Sequence, residues 1–209
     1  MTCQRDGVIN VVELRQYTLH PGQRDALIEL FDREFVETQE AVGMRVFGQF
    51  RDAADPDRFV WVRGFADMER RADALTAFYA GPAWKANSAA ANATMIDSDN
   101  VLLLRPMGRG FDVAAASERP AQNSPMPSSV IVAVIARPGE VAPAGGEELG
   151  VFETEDAENT FPALPVRVGE RFVVTFRRFP DRASADAFTT RCGTVEHLTL
   201  LPTTRSQLR

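Results

Sequence analysis

Lysine is almost missing from this chain: Lys85 is the only one, and scattered arginines carry the rest of the basic charge. With 29 acidic against 23 basic residues the net charge is −6. A nucleic-acid binder presents a basic face, so no nucleic-acid partner is expected. Cysteine is scarce too. Cys3 and Cys192 sit near opposite ends, which is neither a disulfide framework nor a metal-ligand spacing. There is no apolar run long enough for a signal peptide or a membrane span, so the expectation is a soluble cytoplasmic chain with no membrane partner. The sequence contains no GxGxxG fingerprint, Walker A stretch, GxSxG elbow or HExxH pair, which disfavours nucleotide binding, lipase-like hydrolysis and zinc proteolysis.

What is present is an ordinary globular balance, 44% hydrophobic and 25% charged over 209 residues, enough for one large domain or two small ones. Residues 8–106 read as one unit. Val8–Tyr17 has strand character, and His20-Pro21-Gly22 is a turn. From Gln23 to Gln39, Leu27, Leu30, Phe31 and Phe35 share one helical face. Met44–Arg51 and Arg58–Phe65 form a hairpin. Asp67 caps a second helix with the stripe Met68, Ala72, Leu75 and Phe78–Tyr79, and Gly81-Pro82 opens an Ala-rich helix. Asn100–Arg105 is a last strand. The order β-α-β-β-α-β is the ferredoxin-like arrangement.

Residues 107–128, rich in Pro, Ser, Ala and Gly, read as a linker. Residues 129–204 read as a degenerate second copy: strand Val130–Arg137, hairpin Leu149–Thr154 with Glu170–Phe179, helix Asp181–Arg191 and strand Glu196–Leu201. Two anchors carry the repeat. Phe47-Gly48-Gln49-Phe50 resembles Leu149-Gly150-Val151-Phe152, and Phe59–Phe65 before Asp67 resembles Phe172–Phe179 before Asp181. The first helix is not repeated, because Pro138–Glu148 holds too much Pro and Gly. The fold class expected is α+β, two tandem ferredoxin-like units with antiparallel sheets paired face to face.

Strand alternation divides the first unit into two faces. Val12, Leu14, Val46, Phe50, Val60, Val62, Leu102 and Leu104 form an apolar face, expected to pack on the helices. Glu13, Arg15, Tyr17, Phe47, Gln49, Trp61, Arg63 and Phe65 form an aromatic and charged face. That face is expected to lie under a second sheet, from the second copy as an intramolecular pseudo-dimer or from another chain as a homodimer.

Several of these stretches are recognisable. Val12-Glu13-Leu14-Arg15-Gln16-Tyr17-Thr18-Leu19 with Pro21-Gly22 resembles the opening of the NIPSNAP family. So do Gly48-Gln49-Phe50-Arg51, Phe59-Val60-Trp61-Val62-Arg63-Gly64-Phe65, Phe78-Tyr79 with Gly81-Pro82-Ala83-Trp84, and Met95 through Leu104. The resemblance covers about residues 10–106 and implies a dimeric α+β barrel. That superfamily includes cofactor-free monooxygenases, haem proteins, decarboxylases and isomerases. The family has no agreed catalytic set, so the resemblance transfers no catalytic residue.

The candidate site is therefore read from the residues. Arg15 and Arg63 can clamp a carboxylate or enolate, and Glu13 can take a proton if burial raises its pKa. Tyr17, Gln49 and Trp61 can line a flat substrate, with Tyr79 and Trp84 closing a pocket between helices and sheet. The set matches no cofactor and no metal. His20 belongs to a surface turn. His197, opposite Leu198 and Leu200, is expected to point into the barrel. Asp97-Ser98-Asp99-Asn100 has too few ligands for a cation loop and reads as a turn. Two functions follow: a protein or metal-free enzyme for an aromatic or carboxylated metabolite, with isomerase- or monooxygenase-like chemistry, or a non-catalytic interaction or sensing module with a filled barrel.

Overall fold

A computed structural model describes residues 8–108, 110–112 and 119–209. The first half contains β1 (Val11–Leu19), α1 (Arg24–Leu30), a π-helical turn (Phe31–Phe35), α2 (Val36–Glu40), β2 (Arg45–Asp52), β3 (Arg58–Phe65), α3 (Met68–Ala80), α4 (Pro82–Asn92) and β4 (Met95–Pro106). The second half contains β5 (Val130–Ala136), β6 (Glu147–Thr154), β7 (Val173–Phe179), α5 (Arg182–Cys192) and β8 (Glu196–Pro202).

All eight strands close one barrel in the order β1-β3-β2-β8-β5-β7-β6-β4, with every pairing antiparallel. Each half contributes the same internal order, β4-β1-β3-β2 and β8-β5-β7-β6. The seams join the second strand of one half to the last strand of the other, β2 to β8 and β6 to β4. The pairing expected between two sheets thus takes place within one chain, edge to edge.

The two copies share local geometry as well. Each second strand carries a register shift, between Val46 and Gly48 in β2 and between Glu148 and Gly150 in β6. A bulge of this kind bends the strand where a barrel must turn. A Cβ on Gly48 would stand 2.3 Å from the Phe50 ring, and one on Gly150 would stand 2.9 Å from the Phe152 ring. Each copy also caps its long helix with an aspartate. Asp67 accepts from the Arg70 N–H at 2.7 Å and Asp181 from the Ser184 N–H at 2.8 Å. No helix forms between β5 and β6 among the described residues, as Pro138 and the glycines of that stretch dictate.

The faces of the first sheet are placed opposite to the sequence expectation. Val12, Leu14, Phe50, Val60, Val62, Leu102 and Leu104 fill the barrel interior with Ile131, Ala133, Ile135, Phe152, Val174, Phe176, Leu198 and Leu200. Tyr17, Trp61, Phe65 and Leu103 pack instead against Leu27, Phe31, Phe35, Leu75 and Phe78 of the helical layer. Alternation identifies which residues share a face, but both faces are buried here. Polarity decides between them. An eight-stranded barrel is just wide enough to be filled by side chains and offers a guanidinium no partner, whereas helices bring polar groups to the outer face. The β2 bulge adds a further exchange: Phe47 turns into the barrel, and Val46 faces the helices.

Of the expected linker, residues 109 and 113–118 lie outside the described residues. Phe111 packs on Phe47 and Phe152, and Arg119 donates to Glu40 Oε1 and the Val46 carbonyl, both at 2.5 Å. The β6–β7 connection is not a tight hairpin. β7 begins at Val173, and residues 155–172 form a long excursion across the first half.

Candidate functional site

The site is built on the outer face of the first sheet. Antiparallel register sets Glu13 beside Arg63 and Arg15 beside Trp61 on neighbouring strands. Glu13, Arg15 and Arg63 are fully buried. Glu13 Oε2 accepts from Arg15 Nη1 at 2.8 Å and from Arg63 Nε at 2.7 Å, and Oε1 accepts from Arg71 Nε at 2.6 Å. Three guanidinium groups therefore surround one carboxylate, an excess of two positive charges out of water. One amino nitrogen on each arginine, Nη2 of Arg15, Arg63 and Arg71, has no hydrogen-bond partner among the described residues.

These contacts overturn the expected role of Glu13 as a proton acceptor. Burial pushes its carboxyl up, but Arg63, Arg15 and Arg71 outweigh burial and hold it well below the usual carboxylate range. A carboxylate with both oxygens committed to guanidinium groups is a poor base. Its work is to order the arginines.

The arginines stand behind an aromatic wall. Arg15 lies 5.6 Å and Arg63 4.9 Å from the Trp61 ring centroid, distances at which a cation is attracted to the ring. Arg15 Nε donates to the Tyr17 hydroxyl at 3.0 Å, leaving the phenolic hydrogen to donate elsewhere. Arg63 Nη1 donates to Gln39 Oε1 at 3.0 Å. In front of this wall a cavity of about 90 Å³ lies between sheet and helices. Tyr17 and Trp61 line its sheet side, Phe31 and Phe35 come from the π-helical turn, Gln39 from α2, and Phe78, Tyr79 and Trp84 from α3 and α4. Phe31 and Phe35 stand four residues apart, so both side chains leave the same face of this segment toward the cavity. The Trp61 indole N–H has no partner among the described residues. Burial pushes the Tyr79 hydroxyl up, so at neutral pH it keeps its proton.

Of the residues expected from sequence, Tyr17, Trp61, Tyr79 and Trp84 line the cavity, and Glu13, Arg15 and Arg63 lie immediately behind it. Gln49 is in register with Trp61 and fully buried, but it is not part of the cavity wall. Arg71 and Gln39 escaped the sequence reading. Arg71 was signalled by its place on the apolar stripe of α3, four residues before Leu75 and seven before Phe78. His197 does not enter the barrel. Leu198 and Leu200 do, so His197 faces outward, half-buried, with Nδ1 2.9 Å from the Val195 carbonyl. His20 is exposed at its turn. Asp97–Asn100 belongs to β4 rather than to a turn. Among the described residues no group of three His, Cys, Asp or Glu side chains is placed to hold a metal, and no helix is long and apolar enough to cross a membrane.

A larger groove, about 450 Å³, opens at one barrel mouth beside Glu147, Glu148 and Arg178. Two of its carboxylates are paired, Glu147 with Arg178 and Glu148 with Arg177. Among the described residues, no side chain lining this groove carries a buried donor without a partner, as Trp61 does in the aromatic cavity.

Residues 12–108 match the NIPSNAP family. No curated protein matches the sequence. An uncharacterized NIPSNAP-like domain protein from Burkholderia xenovorans is 27% identical over 47% of this chain and 85% of its own, with a TM-score of 0.43. Two crystal structures align along nearly the whole chain. A candidate monooxygenase from Lactobacillus acidophilus is 12% identical, covering 96% of this chain and 97% of its own at a TM-score of 0.51. A candidate monooxygenase from Fusobacterium nucleatum is 10% identical, covering 93% of each chain at a TM-score of 0.52. These two share the dimeric α+β-barrel fold of the whole chain.

Proposed function

The chain carries a NIPSNAP domain over residues 12–108, and from that premise we propose that it binds a small aromatic carboxylate in the cavity between the first sheet and its helices. The observation that carries this reading is the buried excess of positive charge behind an aromatic wall. Taking charges out of water costs several kcal/mol per ion unless opposite charge compensates. Glu13 compensates one guanidinium, and a ligand carboxylate compensates another. The Trp61 indole N–H, a buried donor without a partner among the described residues, belongs to the cavity wall, and a bound anion supplies its partner. The Tyr17 hydroxyl and the Trp61 N–H meet the carboxylate, with Arg15 and Arg63 setting the field from behind. Phe31, Phe35, Phe78 and Trp84 take the ring.

The wall favours binding over acid–base catalysis. No carboxylate and no histidine lines the cavity among the described residues, and Tyr79 keeps its proton. The barrel interior is filled by apolar side chains, so it offers no second ligand chamber.

The test is a titration of the purified chain with benzoate and with benzamide, followed by intrinsic fluorescence. The only two tryptophans, Trp61 and Trp84, both line the cavity. Benzoate should bind at least tenfold more tightly than the uncharged amide. Equal affinity for the two, or no binding of benzoate, contradicts the proposal.

A further inference from the structure

The wall of this cavity is not made by the NIPSNAP half alone. Leu164, from the β6–β7 connection of the second half, lines it. Phe161 of the same segment stacks on Tyr79, with centroids 5.7 Å apart and planes 23° from parallel. Arg71, which holds Glu13, also donates to Asn159 Oδ1 at 3.0 Å and to Thr160 Oγ1 at 3.3 Å. One segment therefore touches both the aromatic wall and the charged cluster behind it.

The segment is closed at its base. The Glu155 N–H donates to the Leu103 carbonyl at 2.8 Å, and the Arg167 N–H donates to the Val101 carbonyl at 2.9 Å. Both ends thus meet the same short stretch of β4, the geometry of an Ω-loop. Its interior is tied by its own bonds: Asn159 Nδ2 to the Leu164 carbonyl at 2.8 Å, and the Phe161 N–H to Asn159 Oδ1 at 3.1 Å. Pro162 and Pro165 restrict the backbone on either side of Leu164. The loop is thus a stiff cap with two anchor points and one hydrophobic finger.

We infer that this Ω-loop, residues 155–167 of the second repeat, selects the ligand of the first repeat, with Leu164 limiting the size of the ring that fits. The inference rests on the binding reading above. It also gives the degenerate copy a purpose: having lost its own first helix, it serves the intact half. Loops positioned by a rigid scaffold are where specificity is commonly set. One methylene of a hydrophobic pocket is worth about 10- to 200-fold in discrimination, so truncating a leucine at the wall should be plainly measurable.

The experiment compares benzoate with 2-naphthoate on the wild-type chain, Leu164→Ala, Leu164→Phe and the control Val168→Ala, an exposed position just beyond the loop. Acrylamide quenching of the two tryptophans is measured without ligand. Leu164→Ala should move the preference toward 2-naphthoate by about tenfold and raise quenching. Leu164→Phe should weaken both ligands, and Val168→Ala should match wild type. If wild type binds benzoate but Leu164→Ala changes neither the preference nor the quenching, the loop does not select the ligand and the inference fails alone. If wild type binds neither carboxylate, the binding reading fails and takes this role with it.

Discussion

Arg71 of α3 donates to Glu13 of β1 at 2.6 Å, across 58 residues of sequence, and completes a carboxylate held by three guanidinium groups. That bond ties the helical layer to the sheet at the point where the sheet is most charged. Glu13→Gln removes the only carboxylate among the described residues that pairs with Arg15, Arg63 or Arg71. Removing one partner of a buried ion pair costs about 3–5 kcal/mol, and urea unfolding at pH 7 should show a loss of that order. The pH dependence follows from the depressed Glu13 pKa. Below about pH 4 the unfolded chain takes up the proton while the folded chain does not, so stability falls with acid. Glu13→Gln should lose this share of the acid sensitivity. An unchanged acid profile would remove Glu13 from the cluster's electrostatics.

Asp32, in the π-helical turn, has the opposite sign. Burial pushes its carboxyl up to about 6, against the pull of Arg205 and Arg119. Between about pH 4 and pH 6 the folded chain holds a proton that the unfolded chain has lost, so stability declines as pH rises through that window. Asp32→Asn should abolish the decline and raise stability at pH 7 by about 3 kcal/mol. Chemical denaturation at pH 4, 5, 6 and 7 measures it. A variant less stable than wild type at pH 7 would mean that the Asp32 charge is compensated better than its burial implies.

The glycines of the two bulges give a packing prediction. A Cβ at Gly48 would meet Phe50 ring carbons at 2.3 and 2.7 Å. Forcing extra volume into a packed core costs about 1–3 kcal/mol, so Gly48→Ala should destabilise by that amount. Phe50→Leu in the same chain should recover part of the loss by opening space. If the double variant is no better than the sum of the two single changes, the ring is not what excludes a side chain there.

Much of this architecture was legible in the sequence, and the reason is local chemistry. Asp67 and Asp181 announce their helices by capping them, and the Gly-x-Phe pairs at Gly48 and Gly150 announce the two bulged strands. Pro138 and the glycines after it rule out the missing helix. What alternation could not supply was direction. Alternation groups Trp61 with Arg63 correctly but does not say that their neighbour is the helical layer. Period-two patterning fixes which side chains share a face, but not whether that face meets helices or the barrel interior. The same inversion misplaced His197. Phe47 was misplaced for a different reason, because the bulge beside it breaks the period. The loop carrying Phe161 and Leu164 was invisible as a site element. Its partners, Tyr79 and Arg71, lie in the other half of the chain, and no local pattern joins them.

The most direct test of the site is titration calorimetry of benzoate into the wild-type chain and into Arg63→Met. The variant should stay folded, because Glu13 keeps Arg15 and Arg71 and the buried excess of charge falls. Wild type should bind one benzoate per chain, since only the first half has the helices that build the cavity, and Arg63→Met should weaken binding by about tenfold, the size of a charge interaction acting from behind the wall at an effective dielectric constant near 20. Undiminished binding by folded Arg63→Met, or two equivalent benzoates per chain, would contradict a single arginine-backed site on the helix-covered face of the first sheet.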